Sequence, residues 1–313
     1  MSISMGSTSG DIPLILRLVH DSTGIVNVAG NIVRKVLQSG KLDIVDKGTD
    51  DLQTKADRAA QVYITQELHK KFPLASIIGE EGDNLTENLD DLVSPVGSPI
   101  QANDLPLGEI LSKSVPTDLS SIQESEVVIW IDPLDGTSEF TRGMVEHVTI
   151  LVGIAYNGSP IAGVIHQPFL KLGEKFGRTL WGIPRIGYGG FTLAAPSKDK
   201  KVITTTRSHS NARVEAVLES MKPDDIIRVG GAGNKAILLM EGKCNAYVFA
   251  SAGCQKWDTC APEAVLAAIG GKLTDMAGQP YSYSKDVQHA NQGGLLATAP
   301  GEDHDWYIKQ IPK

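Results

Sequence analysis

Apolar residues recur three or four positions apart near the start of the chain, which is the spacing of a helix face. Ser39 and Gly40 follow the first face and predict the end of that helix. A second amphipathic pattern, led by Asp51, predicts a helix from about Ala56. The apolar positions of the two patterns are Ile25, Val28, Ala29, Ile32, Val33 and Val36, then Ala56, Ala59, Ala60, Tyr63, Ile64 and Leu68.

Strand patterns dominate the middle of the chain. Residues 127–131 are five consecutive apolar residues and predict a strand that is buried on both faces. Two β-rich runs, at 148–156 and 161–165, are separated by Asn157 and Gly158, a pair typical of a hairpin turn. Between the second helix and these strands, residues 82–126 lose all periodicity and predict an irregular surface insertion.

Strands and helices alternate in the last third of the chain. This order predicts an α/β fold class, with an α+β N-terminal half and an α/β C-terminal half. We expect two domains, at residues 1–185 with the insertion at about 82–126, and at residues 186–313. The predicted strands are 202–206, 226–229, 246–250 and 272–274, and the predicted helices are 213–221, 234–241 and 262–269.

Composition and charge exclude some classes of protein. A chain of 313 residues with 41% hydrophobic content can bury a large core. It has 29 basic and 37 acidic residues, a net charge of −8, and no dense Lys/Arg run, so we expect no nucleic acid polymer as partner. The three cysteines are odd in number and lack zinc-site spacing, which favours a reducing, cytoplasmic location. No segment predicts a signal peptide or a membrane span.

The most informative motif follows the strand at 127–131. Asp132 and Asp135 are three positions apart in a turn that Pro133 pre-shapes, so both carboxylates and the Leu134 carbonyl can face one point. Oxygen ligands of this kind suit Mg²⁺. The alternative is an Asx turn, in which each Asp bonds its own backbone.

Further acids lie at the ends of other elements. Glu80 and Glu81 close a short apolar run, and Asp258 precedes the last apolar helix, where it could instead cap that helix through Cys260 and Ala261. Asp51 could likewise be a cap or a solvated acid. Together these carboxylates suit metal-assisted phosphoryl transfer, in which cations neutralise phosphate and make water a better nucleophile.

Three other groups have candidate roles beside the acids. Thr137 could orient the attacking water, with Asp51 as the partner that accepts its proton, or could simply close an ST turn. The turn 230–235 joins a strand to a helix and could offer backbone N–H groups to an anion, or be an ordinary tight turn. The segment 204–209 offers hydroxyls, a guanidinium and an imidazole, or a cap at Ser210 or Asn211 for the next helix.

Three segments in this order resemble the lithium-sensitive, Mg²⁺-dependent phosphatase superfamily that includes inositol monophosphatase and fructose-1,6-bisphosphatase. They are Glu80-Glu81, the segment Asp132-Pro133-Leu134-Asp135-Gly136-Thr137, and Trp257-Asp258. Within that superfamily the chain is most similar to the 3′(2′),5′-bisphosphate nucleotidases over residues 12–81 and 127–300. The segments 51–58, 204–210, 229–235 and 254–263 carry this closer likeness.

The resemblance implies an αβαβα layered sandwich and a role for each motif residue. Metal ligands would be Glu80, Asp132, the Leu134 carbonyl, Asp135 and Asp258, which would hold two or three Mg²⁺ ions. Asp51 and Thr137 would be the catalytic pair. Nucleotide contacts would come mainly from the second domain, through Thr206, His209, Gly231 and Lys235.

The implied reaction removes the 3′-phosphate from adenosine 3′,5′-bisphosphate and gives AMP. The sulfated relative of that nucleotide, and the 1-phosphate of some inositol bisphosphates, would be further substrates, and Li⁺ would inhibit. We expect a small-molecule nucleoside bisphosphate as the partner, no membrane, and a monomer or weak homodimer. The alternative functions are an inositol monophosphatase or inositol polyphosphate 1-phosphatase, and a silent nucleotide or metal sensor.

Overall fold

The computed structural model describes residues 12–48, 51–83, 85–93, 107–208 and 210–312, except for the side chains of Asp51 and Leu107. Within these ranges, no helix is both long enough and apolar enough to cross a membrane.

Two sheets and a small ribbon make up the strand structure. The ribbon pairs β1 (Val45–Gly48) with β2 (Asp51–Gln53). The strands of the first sheet are β3 (Ser76–Gly79), β4 (Val127–Asp135), β5 (Thr149–Tyr156), β6 (Ser159–Leu172), β7 (Lys175–Ile183) and β8 (Gly187–Gly189). They lie side by side in this order; β3 and β4 are parallel, and the other neighbours are antiparallel.

The second sheet contains the alternating part of the chain. Its strands are β9 (Val202–Thr206), β10 (Asp225–Val229), β11 (Ala246–Phe249), β12 (Lys272–Thr274) and β13 (Leu295–Thr298). Their spatial order is β10-β9-β11-β13-β12, with β9, β10 and β11 parallel and β13 antiparallel to both neighbours.

The helices complete a five-layer sandwich. They are α1 (Leu14–Ser39), α2 (Lys55–Lys71), α3 (Asp90–Val93), α4 (Leu107–Leu111), α5 (Thr117–Ser120), α6 (Thr137–Thr141), α7 (Ala212–Met221), α8 (Ala232–Met240), α9 (Lys256–Ala268) and α10 (His304–Gln310). Helices α1 and α2 cover one face of the first sheet, α8 and α9 lie between the sheets, and α7 and α10 form the last layer. The predicted αβαβα architecture is confirmed.

Local sequence explains why several elements begin and end where they do. Gly40 ends α1 in a left-handed conformation with φ of 68°. Thr54 caps α2 by accepting a hydrogen bond from the N–H of Ala56. Asn157 and Gly158 both have positive φ, 49° and 73°, as the tight hairpin between β5 and β6 requires.

Some predicted boundaries were wrong. Asp51 does not lead directly into α2, because it begins β2 and the helix starts after Thr54. Helix α9 begins at Lys256, six residues before Pro262, so Trp257 and Asp258 lie inside its first turn. The strand β8 belongs to the first sheet although it follows residue 185; the division into two domains stays a prediction.

The insertion is more ordered than its sequence indicates. Its described part holds α3, α4, α5 and a short 3-10 helix at Glu124–Glu126. Ile110, Leu119 and Ile122 are buried in the core that α1 helps to form. Each helix has only one turn or a little more, so no apolar periodicity could develop in the sequence.

Candidate functional site

Three carboxylates meet at the end of β4. Asp132, Asp135 and Asp258 each offer an oxygen, and these oxygens lie within 4.8 Å of one another. The pairing of β4 with β5 shifts register between Asp132 and Asp135, an irregularity of the kind that re-aims side chains at a strand end. The first turn of α9 brings Asp258 to the same point. The fold therefore gathers acids that are up to 126 positions apart in the chain.

Glu80 joins this group through the register of the parallel pair β3 and β4. Gly79 lies opposite Ile131, and the Glu80 N–H donates to the Ile131 carbonyl at 3.1 Å. Burial, followed by the carboxylates of Asp258 and Glu81, raises the pKa of Glu80. Burial, followed by Glu80, raises the pKa of Asp132 well above its usual range. The positive charges near the cluster are thus too few to offset the burial and mutual repulsion of its carboxylates.

Asp132 also makes the Asx turn that the sequence left open. Its Oδ1 accepts from the Leu134 N–H at 3.0 Å, while the Leu134 carbonyl oxygen lies 3.0 Å from the Thr137 hydroxyl oxygen. The turn and the acidic cluster coexist, because the Asx bond involves Oδ1 only.

Asp135 bridges β4 and the start of α8. Its two oxygens accept from the N–H groups of Ala232 and Gly233 at 2.7 and 2.8 Å, and Oδ2 also accepts from the Thr149 hydroxyl at 2.5 Å. The anion that the turn 230–235 was predicted to bind is therefore Asp135 in this structure. Burial raises the pKa of Asp135, and the Lys235 ammonium counteracts it.

Asp258 caps α9 in a way that differs from the prediction. It is not the N-cap residue facing Cys260 and Ala261. Instead it sits three positions into the first turn and accepts from the Gln255 N–H. Burial, followed by Asp135, raises the pKa of Asp258 to about 7.

The Thr137 hydroxyl has a buried carboxylate as partner. It lies 2.9 Å from Asp57 Oδ1 and 3.0 Å from the Leu134 carbonyl oxygen, and its single hydrogen can serve only one of them. Burial raises the pKa of Asp57 to about 6. The predicted partner, Asp51, has its side chain outside the described part of the chain, so that pairing stays a prediction.

Asp57 was missed in the sequence. Its Oδ2 accepts from the Thr54 N–H at 2.8 Å and from the Thr54 hydroxyl at 2.5 Å, which makes it the reciprocal member of a capping box at α2. The Thr54-to-Asp57 spacing could have indicated this cap. No sequence signal showed that the second oxygen of Asp57 faces Thr137.

The acids open into a cleft of about 170 Å³. One wall is acidic, with Glu80, Asp135 and Asp258, and Thr137 lies beside them. Thr206, Gly231 and Lys235, which are three of the predicted nucleotide contacts, also line the cleft. His209, the fourth, lies outside the described residues. The remaining lining residues are Leu52, Gly136, Ser138, Glu139, Ser208, Gly230, Ala232, Tyr247, Phe249, Gly253 and Cys254.

The Gly231 backbone and the Lys235 side chain shape the part of the cleft beside α8. Gly231 has φ of 72°, and a Cβ there would lie 2.5 Å from the His147 carbonyl oxygen, so only glycine fits. The Lys235 ammonium donates to the Gly231 carbonyl at 2.7 Å and lies 5.1 Å from the centre of the Tyr247 ring. Burial lowers the pKa of Lys235, although Asp135 opposes the shift.

The donor set fits a hard divalent cation. All its described side-chain ligands are carboxylates, which Mg²⁺ prefers. Their mutual repulsion, visible in the raised pKa values of Asp132 and Glu80, would be relieved by a bound cation. The acidic cluster could therefore hold a metal ion.

Comparisons with known proteins identify the family. The model of the inositol monophosphatase family matches residues 18–313. The chain is 48% identical to human 3′(2′),5′-bisphosphate nucleotidase 1 and 46% identical to the rat protein of that name, each over 96% of both chains. Among solved structures, the extragenic suppressor protein suhB from Bartonella henselae has the same fold, with a TM-score of 0.67 and 18% identity over 96% of this chain and 98% of that one. The chain belongs to the inositol monophosphatase family.

Proposed function

We propose that this chain is a Mg²⁺-dependent, Li⁺-sensitive phosphatase that removes the 3′-phosphate from adenosine 3′,5′-bisphosphate and gives AMP. One observation carries the proposal: Asp132, Asp135 and Asp258 converge at a cleft that Thr206, Gly231 and Lys235 also line. The acidic groups suit a metal-assisted phosphomonoester reaction, and the hydroxyl and ammonium groups suit the rest of a nucleotide. The names of the relatives that match over 96% of both chains support the same substrate.

Glu80, Asp132, the Leu134 carbonyl, Asp135 and Asp258 would hold the two or three Mg²⁺ ions. When bound, these ions would neutralise phosphate oxygens and lower the pKa of water. Asp132 is central to this set, because Glu80, Asp135 and Asp258 all raise its pKa through their charge.

Thr137 would position the attacking water. Its hydroxyl hydrogen points to Asp57 or to the Leu134 carbonyl, which leaves a lone pair on Oγ1 for a proton of that water. Asp57 has a pKa of about 6 and could receive the Thr137 proton as the water is deprotonated. Asp51 stays a proposed member of the catalytic pair, and its side chain lies outside the described part of the chain.

The test is phosphate release from adenosine 3′,5′-bisphosphate in a Mg²⁺ titration. We expect release by the wild-type protein, inhibition by Li⁺, and loss of activity by roughly 100-fold or more in Asp132→Asn, because an amide binds hard cations poorly. Asp286→Asn, at an exposed position away from the cleft, is the matched control. If the wild-type protein releases no phosphate at saturating Mg²⁺, the proposal is wrong.

Inositol phosphates are the second candidate substrates, because the family model that matches the chain is that of inositol monophosphatase. The deciding quantity is the ratio of kcat/KM values. A preference for inositol 1-phosphate or inositol 1,4-bisphosphate over the nucleotide would favour this alternative. We propose the sulfated nucleotide and some inositol bisphosphates as secondary substrates in either case.

Two further expectations also remain proposals. We propose a cytoplasmic location, supported by the free, buried state of Cys244, Cys254 and Cys260. We propose a monomer or weak homodimer that acts on a small molecule, with no nucleic acid polymer and no membrane as partner, supported by the net charge of −8.

A further inference from the structure

An ion pair that includes none of the proposed metal ligands lies beside the cleft. Glu139 of α6 lines the cleft, and its side chain is only 4% exposed. Its Oε1 accepts from Arg207 Nη2 at 3.1 Å. Arg207 follows the last residue of β9, and its chain neighbours Thr206 and Ser208 both line the cleft. Arg207 itself is not among the lining residues, but its contact with Glu139 places the guanidinium beside the cleft.

The glycine turn before α8 fixes the position of Glu139. A Cβ on Gly230 would lie 2.0 Å from the Glu139 carboxyl carbon and 2.4 Å from each carboxyl oxygen. The carboxylate thus packs directly on the Gly230 backbone, in space that only glycine leaves open. Such a buried, confined acceptor holds its arginine partner in one place.

Arg207 has donor capacity that the protein does not use. Guanidinium has five N–H donors in a rigid fork. The Nε of Arg207 is buried and has no hydrogen-bond partner among the described residues. The side chain as a whole keeps 31% exposure, so part of the fork is accessible from solvent. An oxyanion ligand is the group that such a fork binds best.

Charge decides where a second phosphate can lie. The acidic wall repels any phosphate that is not bound through cations. Lys47 is paired with Glu81 at 3.0 Å, and Lys235 donates to the Gly231 carbonyl beside Asp135. Of these three described cations, Lys47 and Lys235 lie near proposed metal ligands, at Glu80 and Asp135, whereas Arg207 is paired with Glu139.

We propose that Arg207, positioned by Glu139, binds the second phosphate of the substrate and so selects bisphosphates over monophosphates. This inference rests on the proposed function, in which the 3′-phosphate lies at the acidic wall. The 5′-phosphate would then lie at the wall formed by the end of β9 and the turn before α8. Arg207 is a specificity residue, and Glu139 is a positioning residue.

The first experiment compares kcat/KM for adenosine 3′,5′-bisphosphate and adenosine 3′-monophosphate. We expect the ratio of the two values to fall about 10- to 100-fold in Arg207→Gln, because charge-assisted hydrogen bonds to the 5′-phosphate are lost. Arg207→Lys should keep the charge without the fork and give an intermediate ratio. Arg228→Gln is the matched control, since Arg228 pairs with Glu215 at 2.7 Å outside the cleft.

The second experiment measures inhibition by AMP and by adenosine, which differ only in the 5′-phosphate. Arg207→Gln should raise the inhibition constant of AMP about 10-fold or more and should change that of adenosine much less. Glu139→Gln should raise KM for the bisphosphate more than it lowers kcat, because the arginine loses its fixed position. Thermal unfolding of each variant shows that it is folded.

The outcomes separate the two proposals. If the wild-type protein fails to hydrolyse adenosine 3′,5′-bisphosphate, the proposed function fails, whatever Arg207 does. If the wild-type protein hydrolyses it and Arg207→Gln lowers activity on both nucleotides equally, or leaves AMP inhibition unchanged, the role of Arg207 is refuted while the function stands.

Discussion

Buried carboxylates dominate the site at the scale of single residues. Asp57, Asp132 and Asp135 are each at most 5% exposed, and burial is the largest cause of the raised pKa in all three. Their hydrogen bonds differ in kind. Asp135 is satisfied by two backbone N–H groups and a hydroxyl, whereas Asp57 shares its oxygens between a helix cap and Thr137. Residues of one type are thus adapted to different tasks by their neighbours.

The Thr137 hydroxyl provides a prediction at this scale. Thr137→Ala should lower kcat about 100-fold or more, because the water loses the group that orients it. Thr137→Ser keeps the hydroxyl and should retain most of the activity. Steady-state kinetics with adenosine 3′,5′-bisphosphate provides the measurement, and thermal unfolding should show that both variants are folded.

A different result would reassign Thr137. If Thr137→Ala and Thr137→Ser lose activity equally, the hydroxyl is not what matters, and the residue serves only to shape the turn after β4. Thr141→Ala is a control on the same helix, because the Thr141 hydroxyl donates only to the Ser138 carbonyl at 3.0 Å.

At the scale of elements, three glycines let α9 lie directly on the first sheet. A Cβ on Gly153 of β5 would lie 2.5 Å from the Cβ of Cys260. One on Gly163 of β6 would lie 2.3 Å from the Ala261 carbonyl oxygen, and one on Gly182 of β7 would lie 2.7 Å from the Cα of Val265. Because α9 carries Asp258, this close packing sets the depth of a candidate metal ligand.

Gly163→Ala tests that packing. The added methyl would meet backbone, which cannot rotate away, so we expect a loss of about 3 kcal/mol or more in the free energy of unfolding. A displaced α9 should also lower activity. Gly24→Ala in α1 is the matched control, since nothing lies within 4 Å of its Cβ position and alanine favours the helix by about 0.5–1 kcal/mol. Urea unfolding gives both values, and equal stabilities for the two variants would contradict the packing argument.

At the scale of the whole molecule, folding concentrates negative charge. The first sheet, α8 and α9 together bring Glu80, Asp132, Asp135 and Asp258 to one point in a chain that already has a net charge of −8. Bringing like charges together costs free energy in the absence of a cation. Cation binding and folding should therefore be thermodynamically linked.

Magnesium should accordingly raise the melting temperature. At 100 times its dissociation constant a ligand that binds only the folded state adds about 2.7 kcal/mol, which corresponds to a rise of roughly 4 °C in a chain of this size. Calorimetry with MgCl₂, against NaCl at the same ionic strength, measures the effect, and a chelator should reverse it. Asp132→Asn should show a much smaller rise. An equal rise in wild type and variant would place the bound magnesium elsewhere.

The sequence by itself determined the fold class and most elements, and its resemblance to a known superfamily implied the layer order and the candidate site residues. Hydrophobic periodicity and turn residues are local properties, so the strand at 127–131, the Asn157-Gly158 hairpin and the alternating last third could be predicted from them. The short helices of the insertion could not, because one turn contains too few residues to show a period.

Only the tertiary structure decided which groups meet. The register of β3 on β4 places Glu80 beside Asp132, and the packing of α8 makes Asp135 its N-terminal anion. Asp57 had no predicted role, yet it faces Thr137, 80 positions away. Such contacts depend on how whole elements pack, and no local pattern of residues encodes a contact between positions so far apart in the chain.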